Sequence, residues 1–201
     1  MNIGILGGSF DPPHRSHEVL ANKCIEHKLV DEVWVCPTYN HVDKKNFATF
    51  EQRVQMCKLA FTGWFKKVKV CQMEKDNLSG TTFYLIERLR ETYPQHTFKL
   101  IIGEDRADCI EEWYLWRELI EDVPFIVFKR EDYVSFAPID VWYKYNDRHT
   151  LLNCEDCWMS STYVRRLIGQ KCYKLASQIV SRPNVVKYIK KNRLYTKEIV
   201  R

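Results

Sequence analysis

The chain has 201 residues, 45% of them hydrophobic and 28% charged, with a net charge of +5. Those values describe one soluble globular domain, 1–201, that buries about 70% of the surface its unfolded form would expose. They exclude a disordered or fibrous chain, and the apolar runs are too short for a bilayer. The positive charge is diffuse except for a basic stretch from Lys187 to Arg201, which suits a small anionic ligand better than nucleic acid. No nucleic-acid or membrane partner is expected, and a homo-oligomer is compatible with the pattern. The first residues read directly as a strand with no charged-then-apolar leader, so a cytoplasmic location is expected.

Strand and helix alternate along most of the chain, which predicts an α/β fold with a Rossmann-like, doubly wound parallel sheet. Short runs rich in Ile, Val and Leu predict strands at Asn2–Leu6, Glu32–Cys36, Val68–Met73, Phe98–Ile102 and Pro124–Phe128, since strands covered on both faces read as continuous apolar runs. Apolar residues at three- and four-residue spacing predict helices at Glu18–His27, Thr49–Trp64, Thr82–Tyr93 and Ile110–Glu121. Beyond Phe128 the segment Glu131–Asp147 reads as an irregular connection. A short strand at Thr150–Asn153 and helices at Ser161–Ile168 and Asn184–Lys191 follow, giving a small C-terminal helical portion from about residue 150. The eight cysteines are scattered through these elements, as reduced packing thiols are. The single CxxC, Cys154 to Cys157, lacks a second pair at metal-site spacing and reads as a loop that holds two thiols rather than as a zinc or redox centre.

The segment Gly7-Gly8-Ser9-Phe10-Asp11-Pro12-Pro13-His14-Arg15-Ser16-His17 joins the first strand to the first helix. Glycines admit a ligand to the backbone, prolines stiffen the turn, and two histidines three residues apart stand near a helix N-terminus, where amides and partial positive charge favour phosphate. GGSFDPPHRSH resembles the first signature, GxFDPxHxGH, of the nucleotidyltransferases, and within them the nicotinate- and nicotinamide-nucleotide adenylyltransferases. Ser16 stands where the pattern has its last glycine, and is the position to examine for an altered nucleotide fit.

Two further segments keep the order of that family. Ile102-Gly103-Glu104-Asp105, with Trp113 and Trp116 after it, is similar to a GxD followed by a WxxWxxL helix. Met159-Ser160-Ser161-Thr162-Tyr163-Val164-Arg165 is similar to ISSTxIR. Three hydroxyl residues before a helix can cap it or bind phosphate, and arginine offers a planar fork to phosphate oxygens. Arg53 and Met56 fit an RxxM helix, Thr82 a TF element in which Tyr84 replaces an aspartate, Lys129-Arg130 a KR at a strand end, and Leu194-Tyr195 an LY ending.

The resemblance implies an adenylyltransferase of NAD biosynthesis that joins ATP and nicotinate or nicotinamide mononucleotide, with Mg2+ carried by the ATP phosphates and no protein metal site. It implies catalytic roles for His14, His17 and Arg165. ATP would lie against Gly7, Gly8, Ser9, Phe10, His14, His17, Gly103, Asp105, Ser160, Ser161, Thr162 and Arg165. The mononucleotide would meet Lys44 (or its neighbours His41 and Lys45), Thr82, Arg130 and the indole of Trp113, on which a cationic pyridine ring can stack; Trp116 reads as core. Two readings compete: a related nucleotidyltransferase acting on phosphopantetheine or glycerol phosphate, and a non-catalytic nucleotide-binding protein.

Overall fold

The computed structural model describes the chain except residues 40–46, 62–65, 131–141, 145, 155–158, 181 and 197–201, and describes Arg130 by its backbone alone. Its centre is a six-stranded parallel sheet: β1 (Asn2–Gly8), β2 (Glu32–Pro37), β3 (Val68–Val70), β4 (Thr97–Gly103), β5 (Phe125–Arg130) and β6 (Thr150–Cys154), in the order β3-β2-β1-β4-β5-β6. This is the doubly wound, Rossmann-like sheet that the apolar runs predict. The order reverses between β1 and β4, and the crevice beyond their C-terminal ends is where such sheets take ligands.

Alternation along each strand divides the core in two. Leu6, Val33, Val35, Ile101, Ile126 and Phe128 face one layer, formed by α1 (Arg15–Glu26), α2 (Phe50–Phe61), α6 (Ser161–Gly169), α7 (Tyr173–Ile179) and α8 (Pro183–Lys191). Ile3, Ile5, Trp34, Leu100, Ile102 and Val127 face the other, where α3 (Thr82–Thr92) and α5 (Trp116–Asp122) pack. With both faces covered, the central strands are mostly apolar and lack a regular polar alternation, Lys99 in β4 being the polar residue within a run. Gly4 marks a tight point: a Cβ there would stand 2.7 Å from Ile101 Cδ1 on the neighbouring strand.

Several elements differ from expectation. Strand β3 ends at Val70, and Met73–Asp76 winds into a 3₁₀ turn instead of extending the strand. Helix α1 starts three residues early, at Arg15, with His14 as its N-cap. The helix expected over Ile110–Glu121 is broken: a 3₁₀ turn covers Ile110–Glu112, Leu115 takes a left-handed conformation (φ 51°), and only Trp116–Asp122 is α-helical. An L-residue in that left-handed conformation interrupts the right-handed helical backbone, so Trp113 and Trp116 do not share a helix face. The short helix α4 (Glu104–Ala107) and α7 have no counterpart in the expected elements. Cys154 is disulfide-bonded, which corrects the expectation of reduced thiols throughout. Cys24, Cys36, Cys57, Cys71, Cys109 and Cys172 are free, and Cys157 lies outside the described residues. Among the described residues no helix is long and apolar enough to cross a membrane.

Because Gly4 lies against Ile101 in a close-packed layer, Gly4→Val should overpack it and lower the unfolding free energy by about 1–3 kcal/mol. Urea unfolding of the two proteins checks this; an unchanged midpoint would contradict the tight fit.

Candidate functional site

The loop after β1 is shaped from beneath. A Cβ at Gly7 would meet nothing within 4 Å, so the backbone there faces open space. Phe10 is left-handed (φ 48°), and its ring turns inward to pack on His17 (centroids 4.7 Å apart) and edge-on to Phe61 (6.4 Å). Only 1% of Phe10 is exposed; of the residues expected to line ATP, it can offer main chain alone, its ring being the floor of the loop. His14 and His17 lie with ring centroids 3.8 Å apart. The N–H of His14 donates to His17 Nδ1 (3.2 Å), which leaves the proton of a neutral imidazole on Nε2. Burial lowers the pKa of His17 to about 4, against the His14 N–H bond, which acts the other way. His17 is therefore a neutral hydrogen-bond donor at physiological pH.

Asp11 and Arg53 hold this loop to its neighbours. The Asp11 carboxylate, 3% exposed, accepts from the N–H groups of Phe47 (2.7 Å) and Ala48 (3.2 Å) and from the Tyr195 hydroxyl (2.6 Å). Arg53, at the start of α2 and 1% exposed, donates to three carbonyls: Ser9 (2.7 Å), Thr38 (2.7 Å) and Ala48 (3.3 Å). The loops after β1 and β2 are thus cross-tied by charge-assisted bonds, which are the strong ones. The motifs include Asp11 and Arg53 without indicating these partners. A lone arginine within an otherwise apolar helix face was the available signal for Arg53; nothing local marks Tyr195 as a partner of Asp11.

Helix α6 brings the third segment to the same turn. Ser160 caps it, accepting from the N–H of Tyr163 (3.2 Å), and Ser161 Oγ donates to the Pro12 carbonyl (2.9 Å). Arg165 donates from Nη1 to the Asp11 carbonyl (2.7 Å) and from Nη2 to Thr162 Oγ1 (3.0 Å). Ser16 explains its departure from the glycine pattern: buried, it accepts the Met159 N–H on its hydroxyl (3.1 Å). Its oxygen serves the junction between α1 and the chain entering α6, not the open face of the loop.

At the end of β4, Gly103 is the N-cap of α4, and a Cβ there would collide with Asp105 Oδ1 at 2.5 Å. Glycine lets the Asp105 carboxylate fold back over the strand end. Glu104 points inward and accepts from the Tyr143 hydroxyl (3.1 Å), a buried pair that no motif signalled. Across the crevice, Thr82 is the first residue of α3, and Trp113 is half-buried against the α3/α5 layer. Tyr84 and Tyr114, 44% and 49% exposed, stack with centroids 5.6 Å apart and rings 20° from parallel. Trp116 is partly buried against the same layer as Trp113 and carries the Arg117 guanidinium over its ring (4.3 Å), so it lies at the margin of the core and not within it. His41, Lys44 and Lys45 lie outside the described residues, as does the Arg130 side chain. Among the described residues no cluster of three His, Cys, Asp or Glu could hold a metal.

The geometry therefore gathers His14, His17, Arg165 and the serines at the end of β1, with Gly103 and Asp105 at the adjacent strand end. The cytidylyltransferase-like family matches residues 5–167, which takes in all three segments. A nicotinate-nucleotide adenylyltransferase of Bacillus subtilis is 30% identical over 196 residues, covering 96% of this chain and 97% of that one. The chain belongs to this family of nucleotidyltransferases. A probable nicotinate-nucleotide adenylyltransferase of Bacillus licheniformis is likewise 30% identical over 197 residues, with 96% and 97% covered. The fold of a Plasmodium falciparum nicotinic acid mononucleotide adenylyltransferase, solved with NaAD, superposes with a TM-score of 0.83 at 24% identity and covers 96% and 97% of the two chains. As a nucleotidyltransferase the chain is an enzyme.

Two measurements follow from the polar groups buried here. Ser16→Gly strands the Met159 N–H, and should cost about 1–3 kcal/mol of stability; thermal unfolding that is unchanged would show the bond to be idle. Glu74, buried beside the loop after β2, has its pKa pushed up to about 7, first by burial, against the Tyr39 N–H and Asn77, which favour the ionised form. Its folded pKa lies above its unfolded value, so its contribution is present in full below about pH 4.5 and is lost as pH rises through 7. The advantage of Glu74→Gln over the native chain in Tm should grow from pH 4.5 to pH 8, and a constant difference would contradict the burial.

Proposed function

We propose that the chain transfers the adenylyl group of ATP to nicotinate mononucleotide, forming the dinucleotide and pyrophosphate. The 5′-phosphate oxygen of the mononucleotide attacks the α-phosphorus. A new O–P bond forms there as the bond to the β-phosphate bridging oxygen breaks, and pyrophosphate takes the leaving electron pair. The attacking oxygen is already an anion at neutral pH, so no protein nucleophile is needed, and the work is positioning and charge stabilisation. The observation that carries the reading is the convergence of two histidines and an arginine on one turn at the N-terminus of the twelve-residue helix α1.

Each group has a part that its environment supports. His17, neutral with its proton on Nε2, donates to an ATP phosphate without the cost of burying a cation in the free enzyme. His14 adds a second imidazole on the same side, and the α1 amides favour the phosphate charge. Arg165, the α6 hydroxyls of Ser160, Ser161 and Thr162, and the backbone of Gly7, Gly8, Ser9 and Phe10 complete the ATP side. Gly103 and Asp105 face the nucleoside. ATP is taken as its Mg2+ complex. The Asp11 carboxylate is engaged by two N–H groups and a hydroxyl, so the metal would be held by phosphate oxygens and water rather than by a protein cage. On the acceptor side, Thr82 and Trp113 border the pyridine nucleotide, with Lys44 and Arg130 as the cations for its phosphate.

The named relatives act on nicotinate nucleotide, which supports the acid over the amide as acceptor. Incubation with MgATP and each mononucleotide should release pyrophosphate and yield the dinucleotide, faster with the nicotinate form. His14→Ala should lower kcat by about 100-fold while ATP binding falls much less, because a bond that strengthens in the transition state acts on turnover. Release of no pyrophosphate with either mononucleotide, or loss of ATP binding with turnover intact, would overturn the assignment.

A further inference from the structure

We infer that Phe47 is a positioning residue for Arg165, its ring clamping the guanidinium that faces the ATP phosphates. Arg165 reaches from α6 on a long, freely rotating side chain. Its Nη1 and Nη2 bonds to the Asp11 carbonyl and Thr162 Oγ1 engage one edge of the group, and its buried Nε has no hydrogen-bond partner among the described residues. Its face lies over the Phe47 ring, 4.5 Å from the centroid. A cation on an aromatic face is held without using its N–H groups, which stay available for phosphate oxygens.

Core packing does not account for Phe47, which is 54% exposed. Its main chain is what fixes it: the Phe47 N–H donates to Asp11 Oδ2, while Asp11 Oδ1 takes the Ala48 N–H and the Tyr195 hydroxyl. Asp11 therefore holds both halves of the contact, the backbone under the ring through its carboxylate and the guanidinium above the ring through its carbonyl. Because ring and cation hang from one buried residue, their spacing is set by the ATP loop itself. The clamp thus ties the segment entering α2 to the arginine of α6.

The inference rests on reading Arg165 as a phosphate contact, and its test separates the two. MgATP is titrated calorimetrically into the native chain, Phe47→Leu, Phe47→Tyr, Arg165→Ala and the double variant Phe47→Leu/Arg165→Ala. Phe47→Leu should weaken ATP binding about five- to thirty-fold, and Phe47→Tyr, which keeps a π face, should bind within about twofold of native. Once Arg165 is alanine, Phe47→Leu should add no further loss. In the pyrophosphate-release assay the same substitution should lower kcat/KM for ATP and leave KM for the mononucleotide in place. Native-like ATP binding by Phe47→Leu or by Arg165→Ala, or a Phe47→Leu loss that persists in the Arg165→Ala background, would overturn the clamp. A native chain that binds ATP through Phe47 and Arg165 yet makes no dinucleotide would instead retire adenylyl transfer and leave the clamp standing.

Discussion

The carboxylate of Asp11 is the constraint on which the remaining geometry depends. A buried carboxylate is tolerable only when its lone pairs are filled, and here two backbone N–H groups and a tyrosine hydroxyl fill them. Those donors come from the entry to α2 and from the segment after α8, so satisfying one charge brings two distant parts of the chain to the end of β1. Arg53 does the complementary work with carbonyls, drawing Ser9, Thr38 and Ala48 around one guanidinium. Both groups are spent on holding backbone, and together they set where His14, His17 and Arg165 stand.

The two histidines show how such a frame sets chemistry. The His14 N–H occupies Nδ1 of His17, and burial holds the imidazole neutral. A cationic His17 would offer more charge to a phosphate, but it would also destabilise the empty loop beside His14. The neutral tautomer donates from a fixed atom in a fixed direction, and the positive charge comes from Arg165, whose partners are oxygens of the same turn and helix. Direction and charge are thus divided between residues that different elements supply.

The sheet was legible in the sequence because strands covered on both faces are mostly apolar, and β1, β2, β4 and β5 are, their polar residues standing at strand ends except for Lys99 within β4. The site was legible where its residues are contiguous: the histidines, the Gly103 turn and the serines before α6 each sit beside the element that presents them. What escaped was set by distance or by unusual backbone. Leu115 is left-handed without being glycine, so nothing in its type announced that the helix would break and separate Trp113 from Trp116. Ser16 read as a defect in a glycine pattern because its acceptor role depends on Met159, 143 residues away. Glu104 and Tyr143, and Asp11 and Tyr195, are matched only in space.

The Tyr195–Asp11 bond spans 184 residues. Closing so long a loop costs chain entropy before the contact repays it, and contacts of this kind slow folding. The loop after β1 precedes its hydroxyl partner by that whole span, so the Asp11 carboxylate lacks the Tyr195 bond until the segment after α8 has been made and docked. A growing chain can form β1, β2 and the helices beside them while this turn still waits for one of its ties. The final shape of the turn that carries His14 and His17 is thereby coupled to the docking of α8.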